Sequence, residues 1–409
     1  MKILYFNQHF STPKGAAGIR SYEMAKRLIE RGHEVTVVCG SYSGANTGLV
    51  KEFDRNRREG IVDDINVIEF NLEYSNNNSL FKRSLLFLEF ALRSIGIAMT
   101  RKYDIVFATS TPLTAGIPGI FAKVFRRKKF VFEVRDLWPE LPKKMGVIKN
   151  PVVLMMMSVL EWVSYHSADR CIGLSPGIVD GIAKRGIDRS KIELVPNGCD
   201  LDIFGVNPVS WRPEGVTSTD FMAVFTGTHG LANGLDAVLD AAGVLKERNR
   251  PGIKIVLIGQ GKLKAKLESR AKSEGLDNII FCNPVDKAKL AGLMASANLG
   301  LQILANIPAF YFGTSPNKFF DYISAGLPVL NNYPGWLADL IVTNDCGFVV
   351  PPEDSAAFAD ALELAASNLE QLKIKGINSK KLAKSQFDRV LLSNKWADWV
   401  VGVKNEKIN

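Results

Sequence analysis

Cysteine and histidine are scarce, five and four in 409 residues. Cys39, Cys171, Cys199, Cys282 and Cys346 stand far apart with no C-x-x-C pair. That spacing excludes a zinc ribbon, and a chain this long needs no disulfide staples, so a reducing compartment is expected. No D-x-D, H-E-x-x-H or clustered ligand set is read in the chain, and no metal or other cofactor is predicted. Long uncharged runs are missing too. Leu80 to Thr100 is apolar but broken by Lys82, Arg83, Glu89 and Arg93, so it predicts an interfacial or buried helix rather than a membrane span. The opening Met1–Phe6 reaches Asn7-Gln8-His9 too soon for a signal-peptide core, which leads us to expect a cytoplasmic protein. With 46% hydrophobic and 23% charged residues, the composition is that of a globular chain.

What is present in excess is positive charge. The chain carries a formal +9, and residues 1–200 hold 29 basic against 21 acidic side chains, nearly all of the surplus. Such a field attracts phosphates, whether on nucleic acid, anionic lipid or a small diphosphate ligand; solubility alone is the plainer explanation. Nucleic acid is disfavoured, since no aromatic-interleaved basic motif or basic helix-turn-helix appears.

Strands and helices alternate along the chain. A strand over Lys2–Asn7 leads into the loop Gly15-Ala16-Ala17-Gly18. A helical pattern through Tyr22, Met24, Leu28 and Ile29 follows, then a Val-rich strand over Glu34–Cys39. Further strands fit Asn66–Phe70, Ile105–Ala108, Lys129–Val134, Arg170–Leu174 and Ile192–Val195. The polar, aperiodic stretch after Val206 reads as a boundary. The pattern restarts at Phe221–Thr226, with the loop Gly227-Thr228-His229-Gly230, a helix over Leu235–Leu245 and strands at 253–258, 279–281, 299–303, 328–330 and 347–349. We therefore expect an α/β protein of two Rossmann-like domains, 1–205 and 206–384, and a C-terminal helical segment, 385–409, crossing back to the first. Ligands of such sheets bind beyond the carboxyl ends of the strands, so a cleft between the halves is the expected site. The segment with Met155-Met156-Met157 and Trp162 reads as core, with lipid contact as the alternative.

The strongest motif is Ser315-Pro316-Asn317-Lys318-Phe319-Phe320-Asp321, continuing through Ser324-Ala325-Gly326-Leu327-Pro328-Val329. Pro316 suits a helix start and Gly326 its end. Lys318 and Asp321, three apart on one face, can serve a phosphate and a ribose diol, helped by the N–H groups of the first turn. They can equally be a surface ion pair. This segment resembles the donor motif of family 4 glycosyltransferases of the GT-B fold, E-x7-E followed by A-x-G-x-P-V. Asp321 stands for the second acid, Gly313 takes the place of the first, and Thr228 and Asn233 stand where the family has a diphosphate-holding Arg and Lys. Together with Gly227–Gly230 and the run Phe132-Glu133-Val134-Arg135-Asp136-Leu137-Trp138-Pro139-Glu140, the set is similar to bacterial surface-polysaccharide transferases of the N-acetylfucosamine type.

The resemblance implies a retaining, metal-independent transfer from a nucleotide-sugar, with UDP as the expected carrier. The implied acceptor is a polyprenyl-diphosphate-linked saccharide in O-antigen (lipopolysaccharide) or capsule synthesis, met at the inner-membrane surface by a peripherally attached protein. Lys318, with Arg135 or Lys262, then replaces the missing donor cations. Arg135 and Asp136 end a strand, where Asp136 can act as base or orient the acceptor hydroxyl; an internal ion pair is the alternative. His229, among glycines, is the second catalytic candidate. Gly15, Ala16, Gly18 and Arg20 are placed near the donor diphosphate, Gly227, Ser315 and Asn317 near the nucleotide, and Val285 at the base. His9 is a further cleft candidate, while His33 and His166 read as structural. The rival readings are an epimerase or phosphorylase of the same fold, and a non-enzymatic nucleic-acid binder.

Overall fold

The computed structural model describes residues 1–15, 17–75, 78–206 and 208–402. The chain forms two compact units. One comprises Met1–Pro196, Phe312–Ser315 and the chain from Val390 onward, and the other Asn197–Tyr311 and Pro316–Arg389. The division falls at Pro196, ahead of the polar stretch where the sequence pattern sets it.

In the first unit the strands are β1 (Lys2–Phe6), β2 (Glu34–Tyr42), β3 (Arg57–Val62), β4 (Ile65–Tyr74), β5 (Ile105–Thr109), β6 (Lys129–Val134), β7 (Arg170–Gly173) and β8 (Ile192–Leu194). They lie in the order β3-β4-β2-β1-β5-β6-β7-β8. All pairs are parallel except β3 with β4, a hairpin at the sheet edge. The central strands are buried on both faces, which is why they read as continuous apolar runs. β3, Arg-Arg-Glu-Gly-Ile-Val, has only one side to cover and its charges hide it from a hydrophobicity reading.

The second unit holds β9 (Phe221–Thr226), β10 (Ile253–Ile258), β11 (Ile279–Cys282), β12 (Leu299–Gln302), β13 (Val329–Asn331) and β14 (Gly347–Val349), ordered β11-β10-β9-β12-β13-β14 and parallel throughout. Its core fills with Phe225, Leu239, Leu257, Leu301, Phe358 and Leu362.

The segment expected to be one helix from about Ser385 is two. Leu369–Gln386 ends before Phe387, and a new helix spans Arg389–Val401. The latter packs within the first unit. The fully buried Trp396 donates from Nε1 to Glu133 at 3.2 Å, and Trp399 Nε1 to the Cys171 carbonyl at 3.0 Å.

The Met-rich segment is also not core. In the helix Pro151–Ser167, Met155 and Met156 are 61% and 64% exposed, and Val152, Val159 and Trp162 are exposed with them. The helix Ile117–Arg126 packs between this helix and Leu80–Thr100 and exposes Val124 and Phe125. Leu80–Thr100 presents Phe81, Leu85, Leu88 and Leu92, a helical stripe, to solvent. Each of these three helices, packed in series, thus exposes large apolar side chains. Among the described residues no helix is long and apolar enough to cross a membrane.

Candidate active site

In the second unit the loops at the carboxyl ends of β9, β10 and β11 interlock. Gly227 N–H donates to the Ile258 carbonyl at 2.9 Å and His229 N–H to Gln260 at 2.9 Å. A side chain on Gly259 would collide with the Gly227 carbonyl, and one on Gly261 with the His229 backbone, so glycine is what lets the loops touch. Lys264 ties them from below. Its buried ammonium donates to the Gly259 and Cys282 carbonyls and to Asn283 Oδ1, at 3.1, 3.0 and 2.8 Å. Sequence spacing points instead to Lys262, which is exposed; the helical turn between them directs Lys264, not Lys262, inward. Val285 is half-buried just past β11.

Above these loops stands Lys318, in the first turn of the helix Asn317–Ala325. Its Nζ donates to Asn233 Oδ1 at 2.8 Å and lies 3.9 Å from the Phe225 ring centroid. A Cβ on Gly227 would sit 3.5 Å from that Nζ, which shows how open the glycine leaves the approach. Lys318 makes no ion pair among the described residues, and burial lowers its pKa to about 7. A partly desolvated cation with only neutral partners favours the approach of an anion. Asn233, standing where the resembled family has Lys, serves to hold Lys318.

His229 is fully buried and neither ring nitrogen has a partner among the described residues. Burial first, then Lys264 and Lys318, pull its pKa down to about 4, so the ring is neutral. Phe225 and Phe281 flank it with centroids at 6.1 Å each. It lies beneath the Gly227 loop rather than on an open surface.

The structure does not bring Asp321 to Lys318. Its carboxyl senses Asp200, Lys287 and Arg389, and its pKa is raised to about 7 by burial and then by Asp200, against the two cations. The surface ion pair that i,i+3 spacing allows is therefore not formed. Asp200 itself, which with Asp202 forms a D-x-D triplet where the sequence reading finds none, accepts from Arg389 Nε at 2.8 Å and faces Lys287 Nζ at 3.5 Å. Asn317 is exposed at the helix start, while Ser315 belongs with the first unit.

In the first unit Arg20 must be reassigned. It is 3% exposed and donates from Nη2 to Glu133 at 2.8 Å and to the Val195 carbonyl at 2.9 Å, and from Nη1 to Pro196 at 2.7 Å. A guanidinium so occupied is an internal strut, not a diphosphate ligand. Gly15 packs where a side chain would collide with Ser11 Oγ and the Asn46 backbone, so its role too is close packing. Gly18 is exposed ahead of the helix Arg20–Glu30, and Ala16 lies outside the described residues.

Arg135 and Asp136 follow β6, as expected, but do not pair. Asp136 accepts from Thr111 Oγ1 at 3.0 Å; burial raises its pKa, opposed by that hydrogen bond and by Arg135. Arg135 makes no ion pair among the described residues, and its backbone N–H is held by Ser110 Oγ at 2.9 Å. His9 Nδ1 is buried without a partner among the described residues. His166 is structural, stacked on Trp162 with its Nδ1 against the Trp162 carbonyl at 2.9 Å.

Residues 17–203 match the family model described as Glycosyltransferase Family 4, and residues 210–382 that described as Glycosyl transferases group 1. The chain is similar to D-rhamnosyltransferase WbpZ of Pseudomonas aeruginosa, 26% identical over 59% of this chain and 61% of that one. It is also similar to O-antigen chain mannosyltransferase C of Escherichia coli, 25% identical over 59% and 62%. The match thus spans about three-fifths of the length of these relatives. Among solved structures, sucrose-phosphate synthase from Thermosynechococcus elongatus superposes with a TM-score of 0.74 at 15% identity, covering 97% of both chains. Anabaena Alr3699/HepE in complex with UDP-glucose gives 0.70 at 17%, covering 98% of this chain and 100% of that one. WaaG, a glycosyltransferase involved in lipopolysaccharide biosynthesis, gives 0.69 at 17% with the same coverage. These likenesses show the fold, two Rossmann-like units of the GT-B kind.

Proposed function

The chain belongs to the family 4 glycosyltransferases, and on that premise we propose that it moves a sugar from a UDP-linked donor to a lipid-linked saccharide in the synthesis of a bacterial surface polysaccharide. The observation that carries the reading is Lys318: a half-buried cation, without an ion pair among the described residues, at a helix N-terminus and beside a glycine loop. A diphosphate supplies what that ammonium lacks, and it does so most strongly as negative charge develops on departure. The similarity to a D-rhamnosyltransferase and to an O-antigen chain mannosyltransferase, and the UDP-glucose complex of a fold neighbour, support the substrate classes. In this reading the donor is an N-acetylated sugar, anomeric configuration is retained, and no metal is required. Asp321 takes the ribose diol and Asp136 the acceptor hydroxyl.

UDP titration by calorimetry tests the assignment. Lys318→Ala and Asp321→Ala should each weaken UDP binding by about 1–3 kcal/mol, as lost charged hydrogen bonds do, and Asp321→Glu should keep most of it. Phosphate favours protonated Lys318, whose pKa in the free protein is about 7. Above that pH binding must take up a proton, so affinity should fall with rising pH, by at most about tenfold per unit, and the trend should flatten in Lys318→Ala. Unchanged affinity in folded variants rejects the site. A loss in Lys318→Ala alone returns Asp321 to the Asp200 cluster.

A membrane-bound acceptor also gives the apolar face a purpose. The proposed occupant is an anionic membrane surface, because Lys82, Arg127, Lys129, Lys143 and Lys149 are exposed in or beside the three helices. Each such cation contributes about 1 kcal/mol near an anionic bilayer, fading within a Debye length. Arg93 is not among them, since Glu89 at 2.6 Å and the Asn56 carbonyl at 3.0 Å engage it. Arg83 is turned inward onto Tyr74. Co-sedimentation with anionic vesicles should fall as salt rises, and fall again in Phe81→Glu/Leu88→Glu or Lys82→Gln/Arg127→Gln. Failure to bind at low salt would remove the docking surface.

A further inference from the structure

The inward turn of Arg83 has a consequence for the acceptor. His9, Tyr42, Tyr74 and Arg135 lie at or just past the carboxyl ends of β1, β2, β4 and β6, parallel strands within the run β4-β2-β1-β5-β6 of the sheet. That edge is where open α/β sheets bind their ligands. His9 sits within a ring of aromatics, with centroids at 5.1 Å to Tyr42, 4.6 Å to Tyr74 and 6.3 Å to Phe87. The Arg83 guanidinium stands 5.6 Å from the Tyr74 centroid. Arg83 Nε and His9 Nδ1 are both buried without a hydrogen-bond partner among the described residues.

Two guanidiniums act on one half-buried imidazole. Desolvation first, then Arg135 and Arg83, lower the His9 pKa to about 3, so the ring is neutral and free to exchange hydrogen bonds with an uncharged hydroxyl. Neither arginine has a carboxylate within ion-pair distance among the described residues. Of the nearby acids, Glu133 is neutralised by Arg20, and Asp136 is held by Thr111. Cations without an ion pair among the described residues, walled by aromatic faces and supplied with a few polar atoms, suit an anion joined to a ring-shaped, hydroxylated body.

We propose that Arg83 and Arg135, with His9 and the rings of Tyr42, Tyr74 and Phe87, form the subsite for the phosphate-bearing headgroup of the acceptor, a glycosyl phosphate or diphosphate. The inference rests on the transferase reading and moves Arg135 from the donor to the acceptor. Arg83 is the fourth residue of the helix Leu80–Thr100, whose outer face carries Phe81, Leu85, Leu88 and Leu92. A phosphate reached by Arg83 can therefore carry an apolar chain that leaves along that face, which favours a lipid-linked source over a free sugar phosphate.

The test titrates the full chain with farnesyl diphosphate and, separately, inorganic pyrophosphate, each in saturating UDP so that the Lys318 site is filled. Binding should persist under UDP. Arg83→Gln and Arg135→Gln should each weaken it about tenfold, the effect of one charge-assisted hydrogen bond. Arg83→Lys should recover part of the loss, and the surface control Lys266→Gln, exposed in the second unit, should match wild type. If a glutamine variant melts early, the lysine variant at the same position carries the comparison. Farnesyl diphosphate binding more tightly than pyrophosphate supports the lipid-linked source, and equal binding supports a soluble phosphorylated one. Complete displacement by UDP, or wild-type affinity in both glutamine variants, overturns the subsite. Absence of UDP binding by the wild-type chain is a separate result: it fails the donor reading, and the arginine variants then decide this one without UDP.

Discussion

Glu133→Gln should unfold the first unit with about 3–5 kcal/mol less free energy than wild type, the usual cost of breaking a buried ion pair from one side. Glu133 is fully buried and gathers Arg20 at 2.8 Å, Thr109 Oγ1 at 2.9 Å and Trp396 Nε1 at 3.2 Å. The amide keeps the shape but leaves the Arg20 charge in the interior without its counter-ion. Desolvation alone would raise the Glu133 pKa; Arg20 foremost, then Arg135 and Thr109, outweigh it and hold the carboxyl below its ordinary value. The sign follows: the pair's contribution is complete above the unfolded-state value of about 4.5 and is lost as pH falls through the lower folded-state pKa. Urea unfolding of the full chain at neutral pH, followed by tryptophan fluorescence, measures the difference. A midpoint equal to wild type would mean the network is not a strut.

Asp136→Asn should cut turnover by about 100-fold or more, within the range ascribed to a positioned acid or base, while UDP affinity stays as in wild type. Asp136 keeps only a neutral partner, Thr111, and burial raises its pKa toward the range useful for proton transfer. Asparagine preserves the Thr111 hydrogen bond and removes the basicity, so a structural role alone would leave turnover nearly intact. Steady-state rates at saturating donor, paired with calorimetry, separate the outcomes. Equal losses in both would place Asp136 at the nucleotide.

Much of the fold is legible because buried parallel strands write themselves as Val- and Ile-rich runs, and because glycines punctuate their ends. Phe221–Thr226 and Ile253–Ile258 are readable to the residue. Lys318 is legible from its place behind Pro316 at a helix start. What escapes is long-range. Nothing near Arg20 in sequence announces Glu133, a partner 113 residues away, so the guanidinium is mistaken for a ligand. Lys262 and Lys264 look alike in sequence, and only the turn of the chain decides which is buried. Met155 and Met156 are as apolar as core residues, and their exposure reflects a face without cover among the described residues. Arg83 has the spacing of a surface cation, yet Tyr74, at the end of β4, gives it an inward resting place.

The most direct measurement incubates the chain with a panel of UDP- and GDP-sugars and a polyprenyl-diphosphate-linked saccharide, with products followed by mass spectrometry. The account predicts that one UDP-sugar is consumed as the acceptor gains one sugar, and that Lys318→Ala loses this transfer at the same donor concentration. Failure of every nucleotide sugar to react, or transfer by Lys318→Ala at the wild-type rate, would contradict it.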